Sequence, residues 1–307
     1  MSIRDFWRPF QERKIAEKIA KKIEEIALKL EKAGHDKIKI MHVCGTHEHT
    51  VTYYGLRSLL PKNVEVIAGP GCPVCIVPAR EIDEAIELAK NHAKVFTYGD
   101  MYRVPGSYES LAQAKAKGAD VTVVYGFIDA IRLAKETNQD VVFFGVGFET
   151  TAPTAASYIV NEKIPKNLHI LMSYRITVPA VKYILNVEHD LGGIICPGHV
   201  STIIGAGSWS FISETYGLPA VIAGFEPIDV LLAIYEILTQ ILDGKAKTVN
   251  EYRRVVKWEG NITAKEYLRK AFLVTDRNWR GIGIIPESGW VLKEKYKHLD
   301  AREKFQK

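Results

Sequence analysis

Apolar residues recur at steps of three and four from Ile15 through Ile19, Ile23, Ile26 and Leu30, with charged residues filling the gaps. That spacing predicts an amphipathic helix over residues 11 to about 33, stopped by Gly34. Beyond it the pattern changes to short apolar runs near 38–43, 64–68, 94–98, 121–125, 140–146, 168–173, 193–196 and 219–223. Helical stretches separate most of these runs, for example Ala79 to Asn91 and Ser107 to Lys117. Strands alternating with helices predict an α/β fold, with mainly parallel sheets covered by helices.

Eight strands fit two αβα domains, of about four strands each and facing a central cleft, better than one large sheet. The expected division is 1–138, an amino-terminal helix and first α/β domain carrying two cysteine loops; 139–225, a second α/β domain; and 226–307, a helical region packing back on both. In that last region Pro227 to Leu242 reads as a strongly apolar helix, with further helical patterns near 250–257 and 263–274. Lys293 to Lys307 is polar and charged and reads as a solvated helix or tail.

At 307 residues, 47% hydrophobic and 25% charged, the chain has ordinary globular composition. Its net charge of +5 is spread among acids and shows no basic face of the kind nucleic acids require. No apolar run approaches the roughly 20 residues that span a bilayer. Residues 1–7 contain no signal-peptide core, so the cytoplasm is the expected compartment. Four cysteines in a chain this long do not make a disulfide framework. Their clustering points to chemistry instead.

Two loops concentrate that chemistry. Cys44-Gly45-Thr46-His47-Glu48-His49 follows the first apolar run, and Gly69-Pro70-Gly71-Cys72-Pro73-Val74-Cys75 follows the second. Loops leaving the carboxyl ends of neighbouring parallel strands meet in one crevice, so the two are expected to face each other. Thiolates beside imidazoles suit iron, copper(I) or zinc, or thiol redox work. Cys44 is placed to hold a metal or attack a substrate; the alternative is a buried structural cysteine beside surface histidines. Cys72 and Cys75 form a CxxC, which serves either as half a metal site or as a dithiol that cycles with a disulfide. A helix starting near Ala79 would favour thiolate at Cys75.

Three later loops are weaker candidates. Cys196-Pro197-Gly198-His199 offers His199 at a strand end, with Cys196 reading as a packing residue. Gly145-Val146-Gly147-Phe148-Glu149-Thr150 matches the dinucleotide fingerprint only in part, since Thr150 replaces its third glycine. Its glycines instead free Glu149 to project as a proton acceptor or as a partner for a ligating histidine. Asp100 and Glu226 read as helix caps.

In order along the chain, Cys-Gly-Thr-His-Glu-His, Gly-Pro-Gly-Cys-Pro-Val-Cys, Gly-Phe-Glu-Thr-Thr-Ala-Pro and Pro-Gly-His-Val-Ser resemble the HypD family of hydrogenase maturation proteins, from about residue 38 to at least 230. The resemblance implies a scaffold more than an enzyme. It would hold iron while cyanide and carbon monoxide are attached, working with a small chaperone, HypC, and taking cyanide from HypE. It implies Cys44 as an iron ligand shared with the chaperone, Cys72 and Cys75 as a redox dithiol, and His47, Glu149 and His199 lining the same cleft. A monomer acting within hetero-complexes is expected, away from membrane and nucleic acid. The family also carries a [4Fe-4S] cluster on a cysteine-rich carboxyl-terminal segment. No cysteine follows Cys196, so those ligands are absent from this sequence. Two other readings of the cysteines stay open: a thiol–disulfide oxidoreductase using Cys72 and Cys75, and a structural zinc protein using Cys44, Cys72, Cys75 and a histidine.

Overall fold

The computed structural model describes residues 8–305; residues 1–7, whose lack of a signal-peptide core was read from sequence, and residues 306–307 lie outside the described residues. The strands are β1 (Ile38–His42), β2 (Val64–Ala68), β3 (Lys94–Tyr98), β4 (Val121–Val124), β5 (Val141–Gly147), β6 (Leu168–Tyr174), β7 (Leu191–Pro197), β8 (Ala220–Ala223), β9 (Thr248–Asn250), β10 (Phe272–Trp279) and β11 (Gly283–Leu292). All eight predicted strands form. The chain is α/β and divides into two compact units, each assembled from two separated segments: Met1–Cys72 with Val181–Asn261, and Pro73–Ala180 with Ile262–Lys307.

The first unit is built on a five-stranded parallel sheet in the order β2-β1-β7-β8-β9. The predicted amphipathic helix runs Arg13–Lys32 and buries Ile19, Ile23, Ile26, Ala27 and Leu30. These pack with the apolar helix Pro227–Leu242 over Ile38, Ile40, Val64, Val66, Ile195 and Val221 of the sheet. Each aliphatic side chain fully removed from water there contributes about 1.5–3 kcal/mol. The first helix ends where predicted. Gly34 takes φ +95°, its N–H donates to Glu31 O, and the His35 N–H reaches back to Leu30 O. That paired closure satisfies carbonyls the helix leaves open, and its left-handed residue favours glycine. Pro227 starts the second helix at a position needing no N–H, with a capping box between Glu226 and Asp229.

The second unit holds a four-stranded parallel sheet, β4-β3-β5-β6, and a two-stranded antiparallel hairpin, β10-β11. All seven residues of β5 and all seven of β6 are buried, as expected for strands covered on both faces. The helices Ala79–Asn91 and Leu111–Ala116 supply Ile82, Ala85, Ile86, Leu111 and Ala114 to its core. The boundary expected near residue 138 falls inside this sheet, between β4 and β5, because β3 pairs with both.

Carboxyl-terminal helices form at Ile262–Ala271 and Ala301–Phe305. Between them lies the hairpin, which the sequence pattern did not predict. The helical pattern near 263–274 stops at Ala271, where β10 begins. The stretch near 250–257 forms turns after β9 rather than a helix. No described helix is long and apolar enough to cross a membrane.

Candidate functional site

In the first unit the chain leaves β1 toward β2 on one side and leaves β7 toward β8 on the other. Between β1 and β7 the winding reverses, the place where open α/β sheets bind ligands at their carboxyl ends. Cys44 follows β1 and His199 follows β7, so both flank this point.

The two cysteine loops interlock there. A Cβ at Gly71 would stand 2.1 Å from Val43 C and 2.2 Å from Cys44 N, so only glycine lets the second loop lie on the first. Gly45 N–H donates to Gly71 O at 3.0 Å, and Gly69 N–H donates to His42 O at 2.8 Å. On the other side of the contact, a Cβ on Gly45 would touch Cys72 Cβ at 3.4 Å.

Cys44 caps the helix Gly45–Tyr53 from an extended backbone and is half-buried. Burial pushes its thiol up from the ordinary value, opposed by the N–H groups of Thr46 and His47 and the Thr46 hydroxyl. A thiol so placed costs free energy to ionise alone, and its helix-terminal amides favour the anion once a cation compensates it. Cys72 and Cys75 are disulfide-bonded, with Cys75 exposed and Cys72 half-buried. Cys196 is fully buried in β7, and burial holds its thiol well above the ordinary value, as for a packing residue.

His47 is completely buried. Its Nε2 lies 2.9 Å from Gly224 O, and since a carbonyl only accepts, Nε2 carries the proton. Burial, with His42 adding to it, lowers its pKa to about 3, so the ring is neutral, and Nδ1 has no partner. His49 points the other way, exposed and stacked on Tyr53 at 5.5 Å, because two residues along a helix turn a side chain about 200°. His199 stacks on Phe225 at 3.8 Å; the residue is exposed overall, and the partial loss of water around its ring lowers its pKa.

Glu149 belongs to the second unit, where it is buried. Its carboxylate accepts from Thr177 N–H at 2.9 Å and Thr177 Oγ1 at 2.6 Å, at the start of the helix Thr177–Val187. Burial raises its pKa against those bonds. Glu226 caps its helix as expected, whereas Asp100 sits inside the short helix Gly99–Tyr102 that Tyr98 precedes.

Sequence reasoning passed over three residues. His42, the last residue of β1, is buried with Nε2 2.8 Å from Glu48 Oε2. Glu48 is gripped by both terminal nitrogens of Arg57, which, with His42 and Thr52, holds its carboxyl at about 2. Phe225 stacks on His47 as well as His199. The polar ending of an otherwise apolar strand was the available signal for His42; nothing local marked Phe225.

Among the described residues, no group of three or more His, Cys, Asp or Glu side chains is arranged to hold a metal ion. In this disulfide state Cys72 and Cys75 are bonded to each other, and metal binding by either sulfur would require reduction first. A cavity of about 380 Å³ lined by His35, Lys37, Asp190 and Lys245 opens at the amino-terminal edge of the same sheet and contains none of these groups.

A family model described as the Hydrogenase formation hypA family, HypD, matches residues 14–307. A putative hydrogenase expression/formation protein of Methanocaldococcus jannaschii is 46% identical over 295 residues, covering 95% of this chain and 81% of the relative. The hydrogenase maturation factor HypD of Escherichia coli is 40% identical over 289 residues, covering 92% and 78%. That of Rhodobacter capsulatus is 40% identical over 312 residues, covering 98% and 81%.

Proposed function

Because this chain belongs to the HypD family and so has a role in hydrogenase maturation, we propose that it holds one iron as cargo at Cys44 while cyanide and carbon monoxide are attached. The interlocking of the two cysteine loops at the switch point carries this reading. It sets a thiol that can bind a soft metal beside a dithiol–disulfide pair, on backbone that glycine alone permits. With no three-ligand group in the described residues, the remaining iron ligands come from outside: the cysteine of a HypC-type chaperone and the incoming diatomic ligands.

The Cys72/Cys75 pair, once an external two-electron donor has reduced the disulfide to the dithiol, supplies the electrons. Releasing cyanide from a thiocyanate on a HypE-type donor, R–S–C≡N, requires two electrons and leaves a thiolate and cyanide. Closing the dithiol to the disulfide yields two electrons and two protons, which balances that step. Exposed Cys75 is the sulfur open to an external partner. His47, neutral and buried, keeps its proton on Nε2 and lines the site without titrating, with His199 exposed at the same carboxyl end of the sheet. Glu149 acts within its own unit through Thr177.

The test is infrared spectroscopy of anaerobically purified protein co-produced with its chaperone, beside Cys44→Ala. Cyanide and carbonyl stretching bands are expected in the first sample and absent from an intact complex of the second. Bands undiminished in Cys44→Ala would refute Cys44 as the anchor. Bands lost only in Cys72→Ser or Cys75→Ser, with Cys44 dispensable, would favour the oxidoreductase reading instead.

A further inference from the structure

The Gly224-Phe225-Glu226 turn after β8 is held from several sides. Gly224 O accepts from His47 Nε2, and Phe225 O accepts from Thr50 Oγ1 at 2.6 Å. Glu226 N–H donates to Asp229 Oδ2 at 3.1 Å, while Gln11 Nε2 donates to the Glu226 carboxylate at 2.6 Å. A Cβ on Gly224 would lie 2.1 Å from Asp229 Oδ2 and 2.8 Å from the Tyr252 ring, so position 224 packs too closely for any side chain.

What this fixed turn presents is one aromatic ring. The Phe225 ring lies 4.8 Å from that of His47 with a 29° interplanar angle, and 3.8 Å from that of His199 with a 25° angle. Tyr252 meets it edge-on at 6.0 Å. The two imidazoles come from the helices that follow different strands, β1 and β7, and the ring that orients both comes from the turn after a third, β8. An imidazole has two torsions and two tautomers to settle before it offers a defined atom. Stacking on Phe225 settles the plane, and the Gly224 carbonyl settles the tautomer of His47.

We propose that Phe225 is a positioning residue for the maturation reaction: its ring sets the planes of His47 and His199, the buried and the exposed imidazole beside Cys44 at the carboxyl end of this sheet. The inference rests on the reading of this sheet edge as the assembly site. Functional groups held by neighbours with no freedom of their own are the ones that keep productive geometry.

The test compares Phe225→Leu, which removes the π face, with Phe225→Tyr, which keeps it. Each is produced in a host lacking its own homologue, and hydrogenase activity is read as hydrogen-dependent dye reduction. Long-range 1H–15N spectra of the histidines in the purified proteins report the surroundings of the His47 and His199 rings as well as their tautomers. Phe225→Leu is expected to lower maturation about tenfold or more, the scale on which misplaced reacting groups fail, and to shift the imidazole signals of His47 and His199 while His47 keeps the tautomer set by the Gly224 carbonyl. Phe225→Tyr restores both. Should Phe225→Leu not fold, Phe225→Met takes its place. Maturation at the wild-type level without the π face overturns the proposal, as does equal loss in both variants with unchanged imidazole signals. Cys44→Ser in the same assay separates the two ideas: normal maturation there refutes the iron anchor, while the Phe225 comparison still tests the positioning role by itself.

Discussion

Gly71→Ala tests the interlock of the two cysteine loops directly. The added methyl would sit 2.1 Å from Val43 C, 2.2 Å from Cys44 N and 2.5 Å from Val43 O, all backbone atoms that no rotamer change can clear. Overfilling a packed site costs about 1–3 kcal/mol when side chains can give way, and here the upper end applies. Parting the loops also breaks the Gly45 N–H to Gly71 O bond, worth about 1 kcal/mol net. The total is roughly 3–4 kcal/mol, which for a unit of this size lowers the melting temperature by about 6–16 °C. Gly126→Ala is the control. Its backbone is extended at φ −171° and nothing lies within 4 Å of the new methyl, so only the weaker helix N-cap, about 0.5–1 kcal/mol, separates it from wild type, a fall of about 1–4 °C. Differential scanning calorimetry of the three proteins decides the matter. A Gly71→Ala transition within about 2 °C of wild type would refute the close contact and, with it, the argument that glycine joins the two loops.

Two further outcomes follow from the same region. Glu251 is held at about 7, above its ordinary 4.5, chiefly by burial and then by the Asp229 carboxylate. The folded state therefore keeps a proton that the unfolded chain loses between these values, so the Glu251 contribution to stability falls as pH rises from about 4.5 to 7 and is flat above, by about 3 kcal/mol in all. Urea unfolding across that range should show wild type losing about 3 kcal/mol relative to Glu251→Gln, a difference in which the opposite contribution of neutral, buried His47 cancels; superimposable profiles would contradict it. Iodoacetamide labelling of the native protein, read by mass spectrometry, should modify Cys44 alone before reduction. It should modify Cys44, Cys72 and Cys75 after reduction, and Cys196 only on unfolding, since Cys196 is fully buried. Early labelling of Cys196 would overturn its assignment as a packing residue.

The sequence carried a good deal of this by itself. Local patterns are dictated by burial at a fixed period, so the first helix, its Gly34 stop and the eight parallel strands were all legible. The cysteine and histidine loops were legible too, as was the family, because their residue types are chosen for chemistry more than for packing. Less regular segments misled. Leu273 and Val274 continue a helical pattern, yet both are half-exposed on β10, whose partner begins only at Gly283.

Only the tertiary structure decided which strands lie side by side. β1 pairs with β7, so Cys44 and His199, about 150 residues apart in sequence, reach one sheet edge, and each unit is made of two distant segments. The boundary near 138 was drawn along the chain, whereas sheets are ordered by which faces can be buried together, a non-local choice that no window of sequence contains. Glu149 went to the second unit, His49 turned outward and Phe225 came between the histidines' loops for the same reason. The residue types available at each strand end are a property of the sequence; which of them meet is set by the order of the strands.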